Sequence, residues 1–146
     1  MYVTLSEAQE YFEDSLSIGQ WLTASTQAQA RALRSATRRI DAQQLIGRKL
    51  EPSQDHAFPR RYWRDHTDSD VPAAVKAACC EEALSVLQES DDARGLAQAQ
   101  GATSVRVGDV SETYTEAMTA QRARDGLSPA ARRLLRPWIR RVVTLC

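Results

Sequence analysis

The sequence contains little of what catalytic and metal sites are usually built from. Its 146 residues include only six glycines, two histidines, three cysteines and two methionines. It has no glycine-rich phosphate loop and no nucleophile-elbow pattern. His56 and His66 stand ten positions apart, and the adjacent Cys79 and Cys80 have no second cysteine pair. Such spacing does not suit a structural metal, so we expect no metal, no cofactor and no enzyme.

Signals for membranes and for secretion are lacking too. No stretch approaches the ~20 apolar residues that a membrane helix needs. The first residues carry neither the basic start nor the apolar run of a signal peptide. An odd number of cysteines argues against a secreted disulfide scaffold. We therefore expect a soluble protein made in a reducing cytoplasm.

One enzymatic alternative uses the cysteines as nucleophiles. Cys79 with a distant histidine could form a nucleophilic pair in a small hydrolase or redox enzyme. Cys79 lies on the predicted core face of a helix, however, which favours a buried and inert thiol. Glu81 and Glu82 are adjacent on the same helix, so their side chains diverge and do not form a catalytic pair.

Charge is balanced overall but unevenly distributed. The 19 basic and 19 acidic residues cancel, and only two of the basic residues are lysine. Residues 1–30 carry −4, residues 31–66 carry +5, residues 67–118 carry −7 and residues 119–146 carry +6. This segregation could orient a subunit against a neighbour or a nucleic acid, or it could reflect differently charged solvated faces.

The apolar spacing predicts a mainly α fold: a bundle of about four helices. The first helix is expected to begin after a Ser6 cap and to stop at Gly19, with Trp21 in a connector. The second is expected from Ser25 or Thr26 to about Ile46, with Gly47 as its stop. The third opens at Pro72, ends near Ser90 and forms the centre of the core. The fourth starts at Ser128-Pro129 and ends or kinks at Pro137.

Two further segments complete the predicted fold. Alternating valines around Gly108-Asp109 predict a short β-hairpin over residues 104–114. After Pro137 the chain is apolar, β-branched and basic, a composition poorly suited to a solvated tail. We therefore predict a helical bundle with hairpin over residues 1–136 and an extended C-terminal tail over residues 137–146.

Residues 47–71 are predicted to form a long irregular connection that contains a basic-aromatic cluster, Arg60-Arg61-Tyr62-Trp63-Arg64. Arginines on phosphates with rings stacked on bases would suit single-stranded nucleic acid, and Arg60, Arg61 and Trp63 are the candidate contacts. The structural interpretation is that Phe58 and the cluster's aromatic rings anchor the loop on the bundle while the arginines are solvated. The single cluster and the zero net charge favour the structural interpretation.

The order of short motifs resembles a known family. The motifs are Tyr-Val-Thr-Leu-Ser-Glu-Ala at residues 2–8, Ala-Thr-Arg-Arg-Ile-Asp at 36–41, Gly-Arg-Lys at 47–49, Ala-Phe-Pro-Arg at 57–60, Val-Pro-Ala-Ala-Val-Lys-Ala-Ala at 71–78 and Leu-Ser-Pro-Ala-Ala-Arg-Arg-Leu-Leu at 127–135. Together they resemble the head–tail connector proteins of long-tailed bacteriophages, also called adaptor or head-completion proteins. Relatives in phage genomes often carry the label DnaT-like single-stranded-DNA-binding protein.

The resemblance implies a structural subunit of the virion neck. Such subunits form a ring, usually of twelve copies, that docks on the portal protein after DNA packaging and extends the channel toward the tail. The implied partners are the chain itself, the portal protein and a tail-side connector or stopper protein. DNA would pass through the ring without specific binding.

The same resemblance places contacts on the sequence. The C-terminal segment commonly reaches the portal, which here implies a set of six residues: Trp138, Ile139, Arg140, Arg141, Val142 and Val143. Nine residues after Pro137 is a longer tail than relatives need have. For the contact between subunits, opposite charge and the hairpin predict a second set: Arg31, Arg34, Arg38, Glu7, Glu10, Val105, Val107 and Val110.

Overall fold

A computed structural model describes residues 1–62, 67–91, 104–107, 110–113 and 126–140, with the backbone alone for residues 90–91 and for the hairpin strands. The described part holds five helices: α1 (Leu5–Glu13), α2 (Ile18–Thr23), α3 (Thr26–Asp41), α4 (Ala73–Asp91) and α5 (Pro129–Leu135). It also holds four short strands: β1 (Arg48–Lys49), β2 (Arg60–Arg61), β3 (Ser104–Val107) and β4 (Val110–Thr113). The predicted mainly α fold with a short antiparallel hairpin is confirmed.

Helix α4 is the centre of the bundle, with α3 and α5 packed extensively against it. Val75, Cys79 and Ala83 are fully buried, and Leu87 follows at 8% exposure. These positions recur at helical spacing, so the predicted core face of this helix is confirmed. None of the described helices is both long enough and apolar enough to cross a bilayer.

The start of α1 differs from the prediction. Thr4, not Ser6, caps the helix: the Glu7 amide donates to the Thr4 hydroxyl over 3.2 Å, and the Glu7 carboxylate accepts from the Thr4 amide at 2.8 Å. This reciprocal pair satisfies two amides that the first helical turn leaves open. Ser6 was the wrong candidate because Thr4, with Glu7 three residues later, forms a complete capping box and starts the helix at Leu5.

The region after α1 also differs. Gly19 does not end a helix but lies inside α2, which also contains Trp21. The chain turns at residues 14–17 instead, and Trp21 then stacks on Phe12 with ring centroids 4.8 Å apart. Trp21 is 1% exposed and therefore belongs to the core rather than to a connector.

Helix α3 ends at Asp41, five residues before the predicted end at Ile46. The Asp41 carboxylate accepts hydrogen bonds from the Tyr2 hydroxyl and, at 2.8 Å, from the Ala57 amide. It also lies 2.9 Å from Nδ1 of His56. Beyond Asp41 the chain leaves the helix through a turn at residues 42–43, and Leu45 then pairs with Ile139. The apolar spacing of the sequence continues to Ile46 and therefore predicted a longer helix. The long-range partners of Asp41 leave no signal in that local spacing.

Gly47 takes the left-handed conformation, with φ of +72°, but at a loop rather than at a helix end. A Cβ on this residue would lie 2.5 Å from the carbonyl oxygen of Arg61. Only glycine therefore permits the close approach that lets β1 pair with β2, with Arg48 opposite Arg61 and Lys49 opposite Arg60. The predicted irregular connection thus contains a two-stranded sheet.

Helix α5 begins as predicted. The Ser128 hydroxyl accepts from the Ala131 amide, and Pro129 occupies the first turn. The helix stops at Leu135, two residues before Pro137, because proline lacks the amide that the next helical bond needs. The first tail residues then run antiparallel to residues 44–46.

Candidate functional site

The predicted basic side of the subunit interface is a continuous row on α3. Arg31, Arg34 and Arg38 are exposed and recur at positions i, i+3 and i+7, which places them on one face. The opposite face of α3 carries Leu33 and Ile40, both 0% exposed. None of the three arginine side chains has a hydrogen bond or ion pair with a described residue. We call these three residues the α3 arginine row.

Arg39, next to this row, behaves differently. It bridges α3 to α4 through Glu82 at 2.8 Å and Glu89 at 2.9 Å. One arginine of the helix thus stabilises the fold, and the three outward ones leave their donors available. The separation follows from helical geometry, because Arg39 points toward α4 while the row points away from it.

The predicted acidic side divides into a paired and an exposed part. Glu7 forms an ion pair with Lys76 at 2.8 Å, so it already has a partner within the chain. The Lys76 ammonium and the Thr4 donors lower the pKa of Glu7 to about 2. Glu10 is exposed and without a partner in the described part of the chain, as are the nearby Glu13 and Asp14. The exposed acids cluster at the C-terminal end of α1.

Two leucines that follow these acids in the chain are exposed. Leu16 lies in the turn between α1 and α2 with a relative exposure of 106%, and Leu22 on α2 has 54%. Leu16 is exposed because α1 has already ended, with Asp14 as its C-cap. We call Leu16 and Leu22 the leucine tip. Exposed leucines in a segment that follows an acidic cluster are candidates for a contact surface.

The predicted hairpin valines lie on the two paired strands. Val105 is opposite Glu112, and Val107 is opposite Val110. The predicted turn at residues 108–109 falls outside the described residues. The hairpin exists as predicted, and the participation of its valines in a subunit contact stays a prediction.

The described part of the predicted portal-binding segment is attached to the chain's own fold. The Ile46 amide donates to the Trp138 carbonyl at 2.8 Å, and the Arg140 amide donates to the Gln44 carbonyl at 2.7 Å. Trp138 and Ile139 are half-buried on the core, and Arg140 is exposed. The other three predicted residues, 141–143, lie outside the described part. Portal binding by Trp138 would therefore use an already ordered strand, and it stays a prediction.

In the basic-aromatic cluster, Arg60 is buried and its donors are bound to backbone carbonyl oxygens. Arg60 is 7% exposed, and its guanidinium donates to the carbonyl oxygens of Ile46 at 2.7 Å, Gly47 at 2.8 Å and Ala57 at 3.0 Å. A fourth and longer contact reaches the Leu45 carbonyl at 3.5 Å. Arg60 would have to give up these bonds to contact a phosphate.

The rest of this cluster is less enclosed. Arg61 is exposed, and Trp63 and Arg64 lie outside the described residues. Tyr62 is half-buried and donates its hydroxyl to Asp68 at 2.6 Å. Burial and this carboxylate raise the pKa of Tyr62. Phe58 is 3% exposed and anchors the loop as predicted.

The two cysteines proposed as nucleophiles in the enzymatic alternative are buried. Cys79 and Cys80 are 0% and 1% exposed and reduced. Burial raises the pKa of Cys79 to about 11 and that of Cys80 to about 12. Both therefore stay protonated at neutral pH, which is unfavourable for a nucleophile. No cluster of three or more possible metal ligands occurs among the described residues.

Comparison with known families shows which family the chain belongs to. The chain matches, over residues 1–144, the family described as "Putative DnaT-like ssDNA binding protein". The chain belongs to this family. The match spans all five described helices and both two-stranded sheets. No curated protein and no solved structure gives a significant match to the chain.

Two features of this DnaT-like family member were not predicted from its sequence: the fully buried Glu82 and the leucine tip. Adjacent Glu81 and Glu82 do diverge as expected, with Glu81 accepting from Tyr11 at 2.8 Å. The burial of Glu82 has no local signal, because it depends on the approach of Arg39 and of the Ser128 amide. The exposure of Leu16 could have been found only by locating the end of α1 at its true position.

Proposed function

We propose that this protein is the ring-forming subunit of a head–tail connector in a long-tailed bacteriophage. The ring docks on the portal after DNA packaging and extends the DNA channel toward the tail. The observation that carries the proposal is that the described part of the chain displays two oppositely charged surfaces whose side chains have no described partner. The resemblance in motif order supplies the virion context.

The two surfaces fit a head-to-tail contact. The α3 arginine row is basic, and the end of α1 with Glu10, Glu13 and Asp14 is acidic. Because they are different surfaces of one chain, their contact is heterologous, and repetition by rotation closes into a ring. The hairpin and the exposed Arg140 remain further candidate contacts. A structural role needs no catalytic group, in keeping with the buried thiols.

The test is assembly on the portal. We expect the purified protein, mixed with the portal protein of its own phage, to add a ring at the portal's narrow end in negative-stain images. Portal alone is the control. Portal particles without added density, together with a monomer in sedimentation velocity, would overturn the proposal.

The family description favours a second candidate, binding of single-stranded DNA. Of the predicted contacts, Arg61 is exposed, whereas Arg60 has its donors occupied by backbone carbonyls. This candidate predicts micromolar binding of an oligonucleotide that weakens steeply as salt rises, because arginines displace counterions from phosphates. Tryptophan fluorescence titration would measure it. The connector proposal predicts no binding at moderate salt, and Arg61→Ala is the variant that should weaken any binding observed.

A further inference from the structure

The leucine tip has no role in the fold. Leu16 is completely exposed and Leu22 is more than half exposed, although both could be polar without loss to the core. Beneath them the core is closed, because Phe12 and Trp21 are 0% and 1% exposed and stack on each other. The segment that carries the tip is therefore anchored in the core through Phe12 and Trp21. Large apolar side chains left exposed on an anchored segment are candidates for burial against a partner.

The surroundings of the tip restrict what it can contact. Glu10, Glu13 and Asp14 are exposed beside it, and residues 1–30 contain no lysine or arginine at all. An apolar anchor with carboxylates at its rim fits a partner surface with arginines at its rim. Charges of one sign here would repel an acidic partner and any nucleic acid.

The chain itself offers such a surface. The α3 arginine row is exposed and unpartnered among the described residues, and the small side chain of Ser35 lies between its members. The row extends over seven residue steps, or about 10 Å at the helical rise. The long aliphatic stems of arginine can cover leucine while their guanidinium groups reach carboxylates.

We propose that the leucine tip of one copy packs on the α3 arginine row of the next copy. This inference rests on the proposed ring and names the contact that closes it. Leu16 and Leu22 supply the apolar centre, and the carboxylates of α1 and its C-terminal turn pair with the row at the rim. The tip and the row belong to one chain, so each copy presents one of each and the contact propagates in one direction.

Two variants each remove one side of the contact. Leu16→Asp with Leu22→Asp removes the tip, and the triple reversal Arg31→Glu, Arg34→Glu, Arg38→Glu removes the row. Both change exposed side chains, so both are expected to fold. We expect each variant alone to lose ring assembly on the portal. Self-association should weaken at least about tenfold, through lost apolar burial in the tip variant and through repulsion between like charges in the row variant.

Mixing the two variants tests whether the tip of one copy binds the row of another copy. The intact row of the tip variant should bind the intact tip of the row variant, giving a one-to-one dimer and nothing larger in sedimentation velocity. Matched controls are Ile46→Asp, which adds an acid at another exposed apolar residue, and Arg48→Glu, Arg133→Glu, Arg136→Glu, which makes the same charge change elsewhere. We expect rings from both controls.

The outcomes separate the two proposals. Rings formed by both the tip and the row variants would overturn this contact and leave the connector function standing. A wild-type chain that forms no ring with the portal would overturn the connector function and the contact with it. Loss of oligonucleotide binding in the row variant with intact rings would make the row a nucleic-acid surface and overturn the contact.

Discussion

Arg39 donates to the carboxylate of Glu82 at 2.8 Å, and that carboxylate is completely buried. The other oxygen of Glu82 accepts from the Ser128 amide at 2.7 Å, at the first turn of α5. One carboxylate therefore joins α3, α4 and α5. Helix α3 carries the arginine row, so this pair also fixes the direction in which the row faces.

We expect Glu82→Ala to lower the free energy of unfolding by about 2 kcal/mol, because it leaves the buried Ser128 amide without its acceptor and Arg39 with Glu89 as its remaining partner. Urea denaturation followed by circular dichroism would measure this change. Glu10→Ala, at an exposed acid without a described partner, is the matched control and should change stability by less than about 0.5 kcal/mol. Equal effects of the two substitutions would contradict the structural role of Glu82.

The adjacent Arg60 and Arg61 should respond oppositely to substitution. Arg60→Met removes a buried donor group and leaves three backbone carbonyls without a partner, so we expect a loss of about 2 kcal/mol in stability. Arg61→Met changes an exposed side chain and should be nearly neutral. Urea titrations of both variants provide the measurement. A neutral Arg60→Met would show that its contacts with the loop contribute nothing.

The pair between Glu7 and Lys76 should give the protein an acid-dependent stability. The pKa of Glu7 is lowered from 4.5 to about 2 in the folded chain. Its contribution is therefore present above pH 4.5 and is lost as the pH falls toward 2. Glu7 is 41% exposed, so solvent screening keeps the contribution under about 1 kcal/mol.

Thermal melts between pH 7 and pH 2 would detect this contribution. We expect Glu7→Gln to flatten the decline in melting temperature below pH 4.5. Glu10→Gln is the control, since Glu10 has no described partner, and should leave the decline unchanged. Identical pH profiles for Glu7→Gln and the parent protein would rule out the pair as a source of acid sensitivity.

The buried thiols should be unreactive in the folded protein. With the pKa of Cys79 raised to about 11 and that of Cys80 to about 12, both are protonated at pH 8. In a Cys146→Ser background, we expect a thiol reagent to react slowly at first and then rapidly with both cysteines once urea is added. Rapid reaction of either thiol without urea would revive the view of this protein as a cysteine enzyme.

Much of the helical layout could be predicted from local patterns. The cap and proline at Ser128-Pro129, the stop before Pro137 and the buried spacing of α4 all depend on neighbours in the chain. Hairpin strands were visible for the same reason, since alternation of valines with polar residues is a local property. The same reasoning overextended α3, where the end depends on Tyr2 and Ala57 reaching Asp41.

The sequence by itself determined the cores of four of the five described helices and where charges of each sign are concentrated, because propensity, capping and composition act over a few residues. Tertiary structure alone decided which charged groups remain available. It enclosed Arg60 among carbonyls, paired Arg39 with Glu82 and left the α3 arginine row and Leu16 exposed. Whether a charged side chain is free to bind a partner depends on what packs beside it. Adjacent arginines such as Arg38 and Arg39, or Arg60 and Arg61, therefore have different roles.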